Sequence, residues 1–256
     1  MKGSNTDIMK ILSKISALAV LFIILFTGVI YSQTHSEYFD RHDFSITPSV
    51  NFISSASIQL NPNSTNIIDK NRIEELHGGF SYGIAIKKKM FGDDIVLGLS
   101  TEYLRIEDDN LRERVENGAS SVNLPVKEIL WVVPVELSVY YRIPRFSESF
   151  NLFLGGGMGI YLGDRERQIF NLKTETKSKE QALNFHIATG GEYLISRNLS
   201  AVVEVTFREG EYKVESSFPT NQVRVNGTSY EIQQDYKSKV FIDGMKLGFG
   251  LSYYFN

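Results

Sequence analysis

Four histidines and no cysteine bound the chemistry open to this chain. His35 and His42 lie before the first strand, His77 in a loop and His186 on a strand, so no strand carries two of them at metal-ligand spacing. Without cysteine there is no thiolate ligand, no disulfide and no lipid-modified anchor, and no cofactor is expected. The run Gly155-Gly156-Gly157-Met158-Gly159 has the composition of a nucleotide loop, but it lies inside an alternating segment that no helix follows. These glycines read instead as relief where strands crowd in a tight curve. The one cluster of reactive types is acidic and basic. Glu102, Glu136, Glu192, Glu204, Lys87, Arg142, Arg208, Lys246 and His186 share strand parity and so fall on one side of whatever sheet they belong to.

The elements that carry them are strands. Segments of about ten residues alternate apolar and polar with period two. The last segment shows it best: Met245, Leu247, Phe249, Leu251, Tyr253 and Phe255 oppose Lys246, Gly248, Gly250, Ser252 and Tyr254. Eight such segments are read, at 44–54, 80–89, 95–105, 131–142, 150–162, 184–195, 199–208 and 243–255. The first is the least regular, because Pro48 has no amide to give a ladder. Three connections are short: Met90 to Asp94, Pro144 to Ser149 and Ser196 to Asn198. Four are long, charged and read as loops, at 55–79, 106–130, 164–183 and 210–242, and they alternate with the short ones. Asn226-Gly227 inside the last is a hairpin signal, which predicts a projecting two-stranded ribbon with an edge free for a partner. A ten-stranded wall is the alternative should that hairpin join the barrel.

Short turns at one end and long loops at the other define an all-β fold, an eight-stranded antiparallel transmembrane β-barrel of up-and-down meander. Periodicity does not say which face is inside. Size does: glycine and serine share the polar face, bulky aliphatics the other, and a narrow lumen holds the small face. A soluble lipocalin-like carrier would need the reverse. Aromatics add two girdles, Phe44, Phe91, Phe146, Phe150, Tyr253 and Phe255 at the turn end and Tyr82, Tyr103, Trp131 and Tyr161 at the loop end.

The N-terminus fits the same destination. Lys2, Lys10 and Lys14 precede the apolar run Ala17 to Ile30, with Ser32 as the small residue at cleavage. Residues 1–32 therefore read as a signal peptide, 33–43 as a periplasmic lead-in and 44–256 as the barrel. The net charge of -3 and the absence of any basic tract beyond Lys87-Lys88-Lys89, read as a solvated strand end, give nucleic acid nothing to hold.

The terminal stretch Gly248-Phe249-Gly250-Leu251-Ser252-Tyr253-Tyr254-Phe255-Asn256 resembles the C-terminal strand that the barrel-assembly machinery of Gram-negative bacteria recognises, with Phe249, Leu251, Tyr253 and Phe255 as the assembly signal. It departs in ending on Asn256. With the strand count, region 44–256 resembles the small outer-membrane β-barrels of the OmpA, OmpX and OmpW types. That resemblance implies a monomer in the cell outer membrane, surrounded by lipid and lipopolysaccharide, with long loops free for an extracellular ligand or protein. It says little about activity. Some such barrels modify lipid A with a histidine and serine, but Phe185-His186-Ile187-Ala188-Thr189 lacks the serine two residues on, so no enzyme is expected. The inward charges then have two uses, a gated pore or a polar plug. The plug is expected, with Glu102, Glu136 and Glu204 neutralised by Arg208 and Lys246, because eight strands leave little lumen.

Overall fold

A computed structural model describes residues 42–90, 94–118, 120–143, 147 and 149–256. The signal peptide, most of the lead-in, His35 and the girdle candidates Phe91 and Phe146 lie outside the described residues. The described chain is almost wholly strand. In order these are β1 (Phe44–Gln59), β2 (Ile73–Lys89), β3 (Ile95–Glu116), β4 (Ser121–Arg142), β5 (Phe150–Ile169), β6 (Leu172–Lys173), β7 (Glu175–Gln181), β8 (Leu183–Ser196), β9 (Leu199–Glu209), β10 (Glu211–Ser217), β11 (Gln222–Val225), β12 (Thr228–Glu231), β13 (Asp235–Phe241) and β14 (Gly244–Phe255), with one short helix, α1 (Ile67–Lys70).

Strands β1, β2, β3, β4, β5, β8, β9 and β14 pair antiparallel in succession, and β14 returns to β1 through Phe44↔Phe255 to Ile53↔Lys246. The eight-stranded wall closes and leaves no edge, as hydrocarbon requires. Pro48 stays paired with Ile84 of β2, while the β1–β14 ladder is interrupted at it, between Ile46↔Tyr253 and Ser49↔Gly250, without a change of register.

The wall has two tiers. In the lower one the apolar side faces out: Leu137, Val139 and Tyr141 of β4 are 48%, 52% and 46% exposed, while Glu136, Ser138 and Tyr140 between them are buried. Phe249, Leu251 and Tyr253 of β14 point outward likewise. A closed barrel with this belt has its greasy surface where a lipocalin-like carrier would need water, so its solvent is a bilayer. Phe44 stacks on Phe255 at 5.8 Å at the turn end, and Tyr82 and Tyr103 project outward at the loop end. Tyr161, expected in that girdle, turns inward and is 1% exposed, since its odd number shares parity with Gly157 and Gly159.

The upper tier corrects the expected loops. Residues 55–79, 106–130, 164–183 and 210–242 are largely strand: β1 to β5 run on past the belt, and β7, β10 and β13 join them, with β13 on β1, β10 on β13 and β7 on β10. The strands persist while their amphipathicity inverts. From Val132 upward, the inward positions Leu124, Val126, Leu130 and Val132 of β4 are apolar and buried. In β1 the buried positions change parity, from Asn51 and Ile53 to Ala56, Ile58 and Leu60, across an unpaired step between Ile53↔Gly79 and Ser55↔His77. These residues join Tyr212, Val214, Phe218, Val240 and Ile242 in one buried core. The Asn226-Gly227 hairpin forms as β11–β12 and meets the wall at the single pair Glu231↔Glu116, so the barrel stays at eight strands.

Candidate functional site: the plugged lumen

Inward parity on β3, β4, β9 and β14 brings carboxylates and cations to one depth. Glu102 accepts from Asn51 Nδ2 and Ser81 Oγ, both at 3.0 Å, and from Arg208 Nη1 at 2.6 Å. Lys246 Nζ lies 3.7 Å from Glu102 and 4.0 Å from Glu136, and Arg208 is 3.8 Å from Glu136. The Tyr161 hydroxyl donates to Glu136 at 2.8 Å, and Arg208 lies 5.7 Å over its ring. Low dielectric makes each of these contacts strong and each unpaired member expensive.

The remaining expected residues spread from this centre. Glu204 is met by Lys87 at 3.8 Å and not by Arg208 or Lys246, because Lys87 turns in from β2 with its side chain 13% exposed. It is no solvated strand end, and its ammonium lies 4.3 Å from the Tyr140 ring and 4.9 Å from that of Phe153. Inward-facing Gly155 makes room for Tyr140, since a Cβ there would come 2.4 Å from the ring. His186 shares a hydrogen bond with Ser138 at 2.8 Å. Glu192 lies lower, bonded to Ser200 and Tyr254, with Arg142 6.0 Å from the Tyr254 ring.

The polar layer is closed on both sides. A cavity of about 50 Å³ opens among Lys87, Glu102, Glu136, Tyr140, His186 and Lys246. That is room for roughly three to five waters at ~10–15 Å³ each. Toward the turns Val96, Tyr140, Phe153, Ala188 and Val202 pack together. Toward the loops Ile53, Leu104, Val132 and Tyr161 begin the large apolar core.

A second ionic cluster lies inside the upper tier, among residues the sequence placed in solvent-exposed loops. Arg165 binds Glu128 through two nitrogens at 3.0 and 2.7 Å, and Arg167 reaches Glu128, Glu74 at 2.7 Å and Glu113 at 2.5 Å. Both guanidinium groups lie 5.5 Å from the Tyr236 ring. Arg165, Arg167 and Glu128 side chains are wholly buried. Burial pushes the Glu74 carboxyl up, but the hydrogen bond and charge of Arg167 outweigh it and hold it below the usual carboxylate range. The cluster joins β2, β3, β4 and β5 where the β2–β3 ladder has already stopped at Ser81↔Leu104. Just outside it, Asp108 meets His77 Nδ1 at 2.7 Å; burial raises its carboxyl, but bonds from His77 and the Asn110 amide bring it below normal. The signal for this cluster was present as continued alternation through Arg165, Arg167 and Ile169.

Among the described residues no group of three His, Asp or Glu side chains could hold a metal ion. Closed wall, outward apolar belt and polar lumen define a small outer-membrane β-barrel, a protein of the bacterial outer membrane. One solved structure agrees on the fold. OprG of Pseudomonas aeruginosa superposes with a TM-score of 0.57 at 14% identity, covering 88% of this chain and 99% of its own. OmpT, an outer membrane protease of Escherichia coli, reaches 0.45 at 9% identity over 85% and 100%. Neisserial surface protein A reaches 0.41 at 11% identity over 83% and 97%. No protein family matches the chain, and no curated protein matches it.

Proposed function

We propose that this chain is a non-conducting structural barrel that displays a β-structured, ion-bolted head outside the cell for surface interaction. The observation that carries the reading is the double closure of the lumen, by the Glu102–Arg208–Lys246–Glu136 network and by the apolar core stacked above it. The long-loop end faces outward by the general asymmetry of such barrels. The reading is non-enzymatic: Ser138, the hydroxyl next to His186, is 2% exposed inside the wall, where a bilayer substrate does not reach it. It also takes the chain as a monomer that needs no cofactor, with Phe249, Leu251, Tyr253 and Phe255 read by the assembly machinery while they await lipid.

Planar-bilayer recording tests the closure. The purified barrel should show no stable open-channel steps, and large, long-lived steps from the unmodified chain would replace the plug with a pore.

A further inference from the structure

The wall carries a notch at the level where its apolar belt ends. The β5–β8 ladder stops at Ile160↔Leu183, and β5 finds a strand partner on that side again only at Gln168↔Lys173. Between them the backbone of β5 turns to side chains: the Arg165 amide donates to Asp164 Oδ1, the Arg167 amide to Thr174 Oγ1. A cavity of about 330 Å³ occupies this gap. Trp131, Val133 and Leu162 form its lower, lipid-facing side, and Asp164, Lys179, Gln181 and Glu180, itself paired with Lys213, its upper rim. Tyr161 and Tyr212, each 1% exposed, close the back, the Tyr212 ring lying where any side chain at Gly163 would sit. The notch is therefore blind and leads nowhere into the lumen.

We infer that this notch binds one zwitterionic amphiphile, an acyl chain whose head carries both a phosphate and an ammonium. The apolar lower side continues the belt that lipid chains already cover, so a chain enters without meeting water. The rim offers both signs of charge. Lys179 Nζ bonds Asp164 Oδ2 at 2.7 Å, yet the two side chains stay 47% and 32% exposed, which leaves ammonium donors for a phosphate and a carboxylate lone pair for an ammonium. The volume lies at the low end for ligand pockets, which suits a single chain and excludes a whole multi-chain lipid. Nothing in this depends on whether the lumen conducts, so it stands or falls apart from the proposed closure.

Trp131 is the only tryptophan of the chain and lines the notch, so it reports occupancy directly. The full barrel in detergent is titrated with a single-chain phosphoethanolamine lipid brominated on its chain, and quenching of Trp131 is followed. Saturation at one lipid per protein is expected, with about tenfold weaker binding of the phosphoglycerol counterpart and of K179E, and loss in V133F, whose larger side chain fills the notch. Heat-modifiable migration verifies that both variants are folded. Quenching that rises without saturation and equally in the variants means bulk lipid only and overturns the site. Saturable binding that ignores the headgroup overturns the zwitterionic assignment and with it the proposal.

Discussion

Leu137 and Leu130 lie on one strand, seven positions apart along an unbroken β4–β5 pairing, and they face opposite solvents. Leu137 is 48% exposed on the belt, and Leu130 is fully buried in the upper core. Backbone, register and neighbours continue across the change; only the side on which the grease lies is exchanged. The lower tier is stabilised by its ladder and its polar lumen, because lipid chains are as apolar as leucine and give no reward for hiding it. Above the belt, water surrounds the wall, and burying a leucine there contributes about 1.5–3 kcal/mol.

The largest test strikes the polar layer of each tier. Arg167→Ala takes one cation from Glu74, Glu113 and Glu128 in the upper core, leaving them Arg72 and Arg165, and Arg208→Ala takes one from Glu102 and Glu136 in the lumen, leaving them Lys246. Each should destabilise its tier by at most roughly 3–5 kcal/mol, the loss seen when a buried charge is left uncompensated, because the remaining cations still offset part of it. Limited proteolysis separates them: Arg167→Ala should open sites above Trp131 while the membrane part still resists. Equal loss in both tiers would make the barrel one cooperative unit. Next comes the leucine pair, where Leu130→Ala should cost about 2–5 kcal/mol in denaturant unfolding and Leu137→Ala far less. Similar losses at the two positions would erase the change of solvent.

That inversion is also what hid the upper tier from the sequence. The lower strands were legible because one face is greasy throughout and the other holds Gly155, Gly157, Gly159, Gly248 and Gly250. Once Arg165 and Arg167 replace glycine on the inward face, and Lys127 replaces valine on the outward one, the same alternation looks like a charged loop. In β1 the parity step near Ser54 breaks the period as well. The lumen charges were placed on the correct side by parity alone, but partners depend on side-chain reach. Lys87 therefore took Glu204, and Tyr161 took Glu136.

Acid sharpens the comparison further. Glu74 and Asp108, both in the upper tier, titrate below their normal values when folded. A depressed carboxylate contributes stability that is present above its unfolded pKa, about 4, and is lost as pH falls through the folded value. Hydrogen exchange should thus show the upper tier loosening below about pH 4 while the membrane strands stay protected. Unchanged protection there at pH 3, or earlier loosening of the lumen, would contradict the assignment.

The smallest effect concerns the β11–β12 hairpin, where the upper tier meets its own periphery. Asn226 and Gly227 turn it with φ of 50° and 83°, the left-handed region in which a Cβ is strained. Gly227→Ala should cost about 1 kcal/mol, since every other contact of the tip is left in place. The loss should stay local. Val223 and Ile232, 1% and 7% exposed, anchor the base in the core, with Val225 and Tyr230 packed against it, whereas the tip residues Asn226 to Ser229 are exposed and β12 is laddered to the wall through Glu231↔Glu116 alone. Faster exchange is expected at Arg224 to Ser229, with no change at Leu124, Val126 or Val240. Were those core amides to quicken in step, the hairpin would belong to the cooperative unit of the upper tier, and the boundary between rigid head and free ribbon would move outward to its tip.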